Sequence, residues 1–198
     1  FYKQELYDKA LEPFIALLDH KVSMGHDFAQ TGDEAERKRM DDTFRVISLS
    51  FSNLGGSGSV VEYFTRHGKR SYEEAVYSNL AEFYFDKRRY SDAAATYNAF
   101  VDRNPFRKVS PQFQMRVIEI HLAGGFPSLV IDAKKQFAEK YGVKAEYWQH
   151  FERSSRPEVL AWLKTNLTDL ARHYHALYQS PKQIKEKRTN FEEALHWY

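Results

Sequence analysis

Residues 55–59 read Gly-Gly-Ser-Gly-Ser, a string whose backbone N–H groups could wrap a phosphate. A phosphate loop also needs a Gly-Lys-Ser/Thr ending and a strand before it, and neither is present. The string is therefore read as a turn between helices. His173 and His175 could serve a metal, but residues two apart on a helix diverge by about 200°. His20 and His26 are separated by an expected helix break. Asp41-Asp42 and Glu192-Glu193 are adjacent pairs, which cannot flank a substrate as an acid/base dyad would. They suit the positive end of a helix instead. No Ser, His and Asp stand at a spacing that argues for a relay. The chain has no cysteine. That excludes disulfides, thiolate zinc, iron–sulfur clusters and a cysteine nucleophile. The expectation is a non-enzyme, with no catalytic residues, no cofactor and no metal.

The charge balance bounds the partners. Lys and Arg number 29 and Asp and Glu 27, a net charge of +2. Nucleic-acid binding usually needs a basic surplus on one face, so none is expected. The longest uncharged stretch is 46–61, rich in Ser and Gly and too short to span a membrane. No apolar leader follows Phe1-Tyr2-Lys3-Gln4-Glu5. Direct membrane insertion is not expected. The start lacks Met, so the chain is read as a piece of something longer.

The positioning elements read as helices. The nine Gly and six Pro sit between long periodic segments. Apolar residues recur at spacings of three and four. Leu6, Ala10, Leu11, Phe14, Leu17 and Leu18 form one stripe. Phe44, Ile47, Phe51 and Leu54 form another, and Tyr77, Leu80, Ala81 and Tyr84 a third. Val117, Ile120 and His121 continue it, as do Leu163, Leu167, Leu170, Ala171 and Tyr174. Stops fall at Gly68, Asn104-Pro105, Gly124-Gly125, Gly142 and Pro181. An all-α chain of eight or nine helices is predicted.

The pattern repeats. Between residues 77 and 105, one helix carries Tyr77, Leu80, Ala81 and Tyr84. A turn with Tyr90 follows, then a helix with Ala93 and Tyr97, stopped by Pro105. The two alanines let antiparallel helices approach, and the tyrosines fill the space around that contact. Thirty-three residues upstream, Phe44, Ile47, Ser48 and Phe51 repeat the order of sizes, followed by Val60 and Phe64. Thirty-six residues downstream come Phe113, Val117, Ile120, Phe126 and Ala133, with Arg116 where Leu80 stood. Leu167, Leu170, Ala171 and Tyr174 restate the first helix, and Ala194 and Tyr198 the second. A lysine-rich insertion, 179–190, separates them. Ala10 and Phe14 match Ala93 and Tyr97, so the chain is expected to start and end inside second helices of an array. Such ends should expose apolar surface and permit dimerisation. Residues 24–39 read as a polar loop entering a helix capped near Thr31 or Asp33. In 142–157, Tyr147, Trp148 and Phe151 beside Arg153 and Arg156 form either an interaction site or a packed insertion.

The segment 74–105 resembles the tetratricopeptide repeat (TPR). Phe100 departs from it, standing where the family has a small residue. The resemblance implies a right-handed TPR-like α-solenoid of antiparallel helix pairs across 1–198. Its parts are a truncated second helix (1–23), repeats at 41–68, 74–105 and 110–141, the insertion 142–157, and a truncated repeat (158–198). It also implies a concave groove lined by first helices, one residue off the core stripe. Carried onto this chain, that names Asp42, Arg45 and Leu49; Ser78, Glu82, Phe85 and Asp86; Gln114, Ile118 and His121; and Thr168, Arg172 and His175. The set lacks the Lys/Asn clamp that grips a chain-end carboxylate. A protein or peptide partner in extended or helical form is the expected occupant.

Further strings are similar to large multi-TPR proteins of gram-negative bacteria described as components of the TonB system. They are 41–51 (DDTFRVISLSF), 88–94 (RRYSDAA) and 125–130 (GFPSLV) with Ala133, Lys134 and Lys135. This resemblance implies a scaffold in the bacterial cell envelope, on the periplasmic side, serving TonB-type transport or outer-membrane assembly. One alternative is a non-catalytic TPR arm of a larger enzyme, such as a glycosyltransferase or a secretion ATPase. Another is a small-molecule receptor with its ligand near Glu82 and Phe85.

Overall fold

The computed structural model describes residues 2–28 and 32–198. Among them it contains nine α-helices and no strand. They are α1 (Tyr2–Ser23), α2 (Glu34–Leu54), α3 (Ser57–His67), α4 (Glu73–Asp86), α5 (Tyr90–Arg103), α6 (Ser110–Gly124), α7 (Pro127–Tyr141), α8 (Pro157–Gln179) and α9 (Lys187–Trp197). Short 3-10 turns lie at Glu146–Gln149, Arg153–Ser155 and Pro181–Gln183. The all-α expectation is met. The chain divides into two compact units, Phe1–Asn104 and Pro105–Tyr198.

In the first unit α1 packs on α2, α2 on α4, α4 on α5, and α3 on α5. The α4–α5 pair follows from its residue sizes. Ala81 and Ala93 are fully buried, which lets the two backbones approach. Aromatic groups close the flanks: the Tyr77 and Phe100 rings sit 5.4 Å apart, and the Tyr97 hydroxyl donates to Glu82 at 2.6 Å. Pairing 77 with 100 and 82 with 97 means the helices run antiparallel. Phe100, the departure from the repeat pattern, is thus a core residue packed on Tyr77.

The Gly-rich string is the turn between α2 and α3. Gly55 and Gly56 take φ of +129° and +67°, where side chains are strained. A Cβ on Gly56 would also lie 2.8 Å from the Tyr84 hydroxyl.

A buried carboxylate joins three helix ends. Glu73, 2 % exposed at the start of α4, accepts from Arg103 Nε at 2.8 Å and from Asn104 at 3.2 Å. Arg103 also donates to the Phe64 carbonyl at 2.7 Å and the Thr65 hydroxyl at 2.8 Å, near the end of α3. Asp19 of α1 accepts from Arg70 at 3.1 Å and from the Tyr72 hydroxyl at 2.8 Å, tying α1 to the α4 entry.

One stripe differs from expectation. On α1, Leu11, Ile15 and Leu18 are buried, while Leu6 and Leu17 face solvent. The reason is the helical period. Spacings of four and three place 11, 15 and 18 together, and eleven residues, three turns, place 6 and 17 on another face.

In the second unit α6 packs on α7, α7 on α8 and α8 on α9. Phe113, Val117, Ile120, Ala133 and Phe137 are buried, whereas Phe126 lies at the surface. Aromatic residues of the 142–157 insertion pack inward. Tyr147 is buried, and the Trp148 indole donates to the Tyr141 carbonyl at 3.0 Å. Arg156, 5 % exposed, pins this insertion. It bonds the Tyr147 hydroxyl, the Glu158 carboxylate at 2.7 Å and the Lys108 carbonyl at 2.8 Å. On α9, Ala194 and Trp197 are buried and Tyr198 is 79 % exposed. Trp197 therefore fills the place expected of Tyr198. Three residues on from Ala194 stays on the face toward α8, and its indole donates to Glu193 at 2.9 Å.

Two predictions follow from the α4–α5 packing. Ala81→Leu or Ala93→Leu should overpack the contact and cost about 1–3 kcal/mol in chemical denaturation. Glu73→Ala should cost on the order of 3 kcal/mol, because it strands Arg103 beside a buried site. Unchanged denaturation midpoints would remove the close contact, or the carboxylate, from its assigned role.

Candidate functional site

A cavity of about 410 Å³ lies in the first unit between α2, α4 and residues 26–28. Helical spacing builds two of its walls. α2 starts at Glu34 because the Asp33 side chain caps it, accepting from the Glu36 N–H at 2.8 Å. Thr31, the other expected cap, lies outside the described residues. From that start, Arg37, Met40, Asp41 and Phe44 fall on one face of α2. The α4 wall is Glu74, Ala75, Ser78 and Asn79, preceded by Ser71. Ser78 donates to the Ala75 carbonyl at 3.2 Å and Asn79 to the same carbonyl at 2.8 Å, which holds both side chains against the helix.

The third wall is a fold-back. After α1 the chain turns at Gly25, with φ of +76°. Phe28 then lies edge-on to Phe44 at 6.3 Å and to Tyr72 at 5.8 Å, with His26 4.8 Å from Phe28. Phe28, Phe44, Met40 and Ala75 supply apolar lining. Asp27, Asp41 and Glu74 contribute carboxylates and Arg37 a cation. Glu36 also lines the cavity, but its carboxylate accepts from Lys21 and lies 3.2 Å from Arg39. The Lys21 hydrogen bond, first among its causes, holds the Glu36 carboxyl below the ordinary range. The lining as a whole holds more carboxylates than cations. It can seat an apolar side chain and accept hydrogen bonds from a cationic one. Among the described residues, no cluster of three or more His, Asp or Glu could hold a metal ion.

The residues carried over from the repeat pattern fall in both units. In the first unit, Ser78 lines the cavity. Arg45 is exposed and bonds Asp42 at 3.1 Å, and Leu49 is 44 % exposed. Glu82 accepts from Tyr97, and the Phe85 ring rests 5.7 Å from Tyr90, so both take part in the α4–α5 hairpin. In the second unit, Arg172 and His175 are exposed on α8, and Gln179 lies 2.9 Å from His175. Gln114, Ile118 and His121 are buried. These three correct the expectation of a contact face on α6, because a partner cannot reach them without displacing packed neighbours.

Phe28, Arg37, Met40, Ser71, Glu74, Ala75 and Asn79 were not anticipated. Their signal was present in part: 71, 74, 75 and 78 repeat the three-and-four spacing one turn before the expected groove face.

No family model, no curated protein and no solved structure matches this chain. No helix among the described residues is long and apolar enough to cross a membrane.

One buried and one half-buried histidine give a pH prediction. Burial lowers the affinity of His121 for a proton, and Asp132 acts the other way. Burial and then Lys135 lower that of His173. The unfolded chain therefore binds these protons first. The associated stability is complete above the ordinary histidine value of about 6.5 and is lost as pH falls below it. Glu36, Glu158 and Glu193 have lowered values, so their contribution persists to more acid pH and is lost below the ordinary carboxylate range. Melting between pH 7.5 and 5.5 should show a falling Tm, and His121→Gln with His173→Gln should flatten that slope. An equal slope in the double variant would reassign the effect.

Proposed function

We propose that this protein is a non-catalytic scaffold, and that the α2–α4 groove holds a segment of a partner protein. The observation that carries the reading is the groove itself: a cavity of about 410 Å³ with apolar lining from Phe28, Met40 and Phe44 and carboxylates from Asp27, Asp41 and Glu74. Partner segments commonly anchor apolar side chains in such grooves and take specificity from the polar rim. An extended or helical segment with an apolar anchor beside Lys or Arg suits this lining.

The TPR reading supports the same role. Equivalent residues at a 33-residue spacing are buried in pairs: Phe44 with Tyr77, Ile47 with Leu80, Ser48 with Ala81 and Phe51 with Tyr84. Ala93 and Tyr97 have buried counterparts in Val60 and Phe64, and in Ala133 and Phe137. We propose a TPR-like solenoid on these grounds. Its setting would be a bacterial envelope complex of the TonB or outer-membrane assembly type, a proposal that rests on the resemblance of 41–51, 88–94 and 125–130.

The test is site-specific photo-crosslinking of the full-length protein in its native cells. A benzophenone side chain at Ser78 should give a discrete protein adduct. The same group at Glu62, exposed on α3, should not. Asp41→Arg with Glu74→Arg should abolish the adduct while the fold persists. No adduct at Ser78, or the same adducts from both positions, would overturn the groove reading.

A further inference from the structure

The second unit carries a surface of the opposite sign. Residues 182–188 read Lys-Gln-Ile-Lys-Glu-Lys-Arg, four cations against one carboxylate, a net charge of +3 over seven residues. Ile184 lies within this run and is 72 % exposed. On α9, Phe191 and Leu195 are one turn apart, and they are 45 % and 59 % exposed. The cations lie at the entry of the helix that carries this row. Lys185, Lys187 and Arg188 line an open hollow of about 420 Å³ together with Tyr178, Ile184 and Phe191. Lys187 lies 5.2 Å over the Tyr178 ring, and Arg188 bonds Glu192 at 2.9 Å.

The buried face of α9 is different. Asn190, Ala194 and Trp197 are buried, and α9 packs on α8. The helix is therefore held to the unit by one face. It presents a second apolar row outward, with basic residues at its entry.

Protruding apolar side chains beside lysines and arginine are the arrangement that binds an anionic lipid surface. The apolar groups enter the headgroup boundary, and the long cationic chains reach phosphates beside them. We propose that residues 182–188 and the Phe191–Leu195 row of α9 form a peripheral docking surface for a bilayer rich in anionic phospholipid. The apolar row supplies shallow anchoring and the cations select for charge. The surface uses no residue of the α2–α4 groove, so each can fail alone.

Vesicle sedimentation tests it with the full chain. Vesicles of phosphatidylcholine alone should leave the protein in the supernatant, and vesicles with about one third phosphatidylglycerol should carry it down at low salt. Raising the salt should release it, because exposed charges are screened beyond about 8 Å at physiological ionic strength. Lys185→Glu with Lys187→Glu should lower binding at least about tenfold, and Leu195→Ser should lower it on anionic vesicles without changing the salt response. Lys69→Glu, at an exposed site in the first unit, serves as the control and should bind as the parent does. Circular dichroism of each variant separates lost binding from lost fold. Three results would overturn the proposal: equal sedimentation with both vesicle types, sedimentation unaffected by the 185/187 reversal, or no binding to anionic vesicles. No vesicle binding alongside salt-sensitive retention on immobilised polyglutamate, lost in the 185/187 variant, would give this face to an acidic protein partner instead.

Discussion

The Glu73 carboxylate is the constraint around which the first unit is arranged. A carboxylate removed from water is tolerated only when charge and hydrogen bonds meet it. Arg103 and Asn104 meet it from the end of α5. The same guanidinium has donors left over, and they reach the Phe64 carbonyl and the Thr65 hydroxyl of α3. One planar fork thus satisfies an acid and a helix-terminal carbonyl together. The ends of α3, α4 and α5 are thereby brought to one place, and the rotation of α4 about its own axis is set. That rotation puts Tyr77 into the core, where burial and then Glu73 keep its hydroxyl protonated. It also turns Glu74, Ala75 and Ser78 toward α2. The groove face is a consequence of how the opposite face is pinned.

The second unit meets the same need with other residues. The backbone bonds of the stretch between α7 and α8 are local turns, so a side chain ties it to the rest of the unit. Arg156 does so through Tyr147, Glu158 and the Lys108 carbonyl, with Phe151 5.3 Å from the guanidinium. Lys135 plays the corresponding part between α7, α8 and α9. It bonds Glu193 at 2.9 Å and lies 4.7 Å over the Tyr174 ring. A chain with a mean hydropathy of −0.65 has limited apolar surface to bury. Cations set against tyrosine, tryptophan and carboxylate extend the core with long side chains that carry both kinds of group.

The helices were legible because each is a local pattern. Spacing of three and four residues locates them, and the Ala81–Ala93 pair with its tyrosines marks the α4–α5 hairpin in the sequence itself. Ambiguity entered where two faces of one helix are both apolar. On α1 Leu17 and Leu18 are neighbours in sequence but not in environment, and only the partner α2 decides between them. The candidate site was legible in one residue, Ser78. The rest depends on contacts that no local pattern encodes. Phe28 reaches Phe44 and Tyr72 across 16 and 44 residues, whereas the Asp33 cap of α2, a local signal, was legible. The buried face of α6 was misread for a related reason. An offset of one residue from the core stripe marks a solvent face only where that stripe is narrow, and on α6 Phe113, Gln114, Val117, Ile118, Ile120 and His121 are all buried.

The near balance of 29 cations and 27 acids conceals how charge is placed. A whole-chain count bounds long-range attraction, because distant charges are screened and summed. It says little about a surface a few ångströms across. The groove of the first unit combines Asp27, Asp41 and Glu74 with a single arginine, while residues 182–188 carry a net +3. The two surfaces also differ in shape. The groove is concave, and its α4 wall is held by the buried Glu73–Arg103 ion pair. The row on α9 faces outward, with Lys187 over the Tyr178 ring and Arg188 bonded to Glu192 beside its entry. The two surfaces thus differ in both charge and curvature. The exclusion drawn from net charge applies only to partners that read the field of the whole molecule.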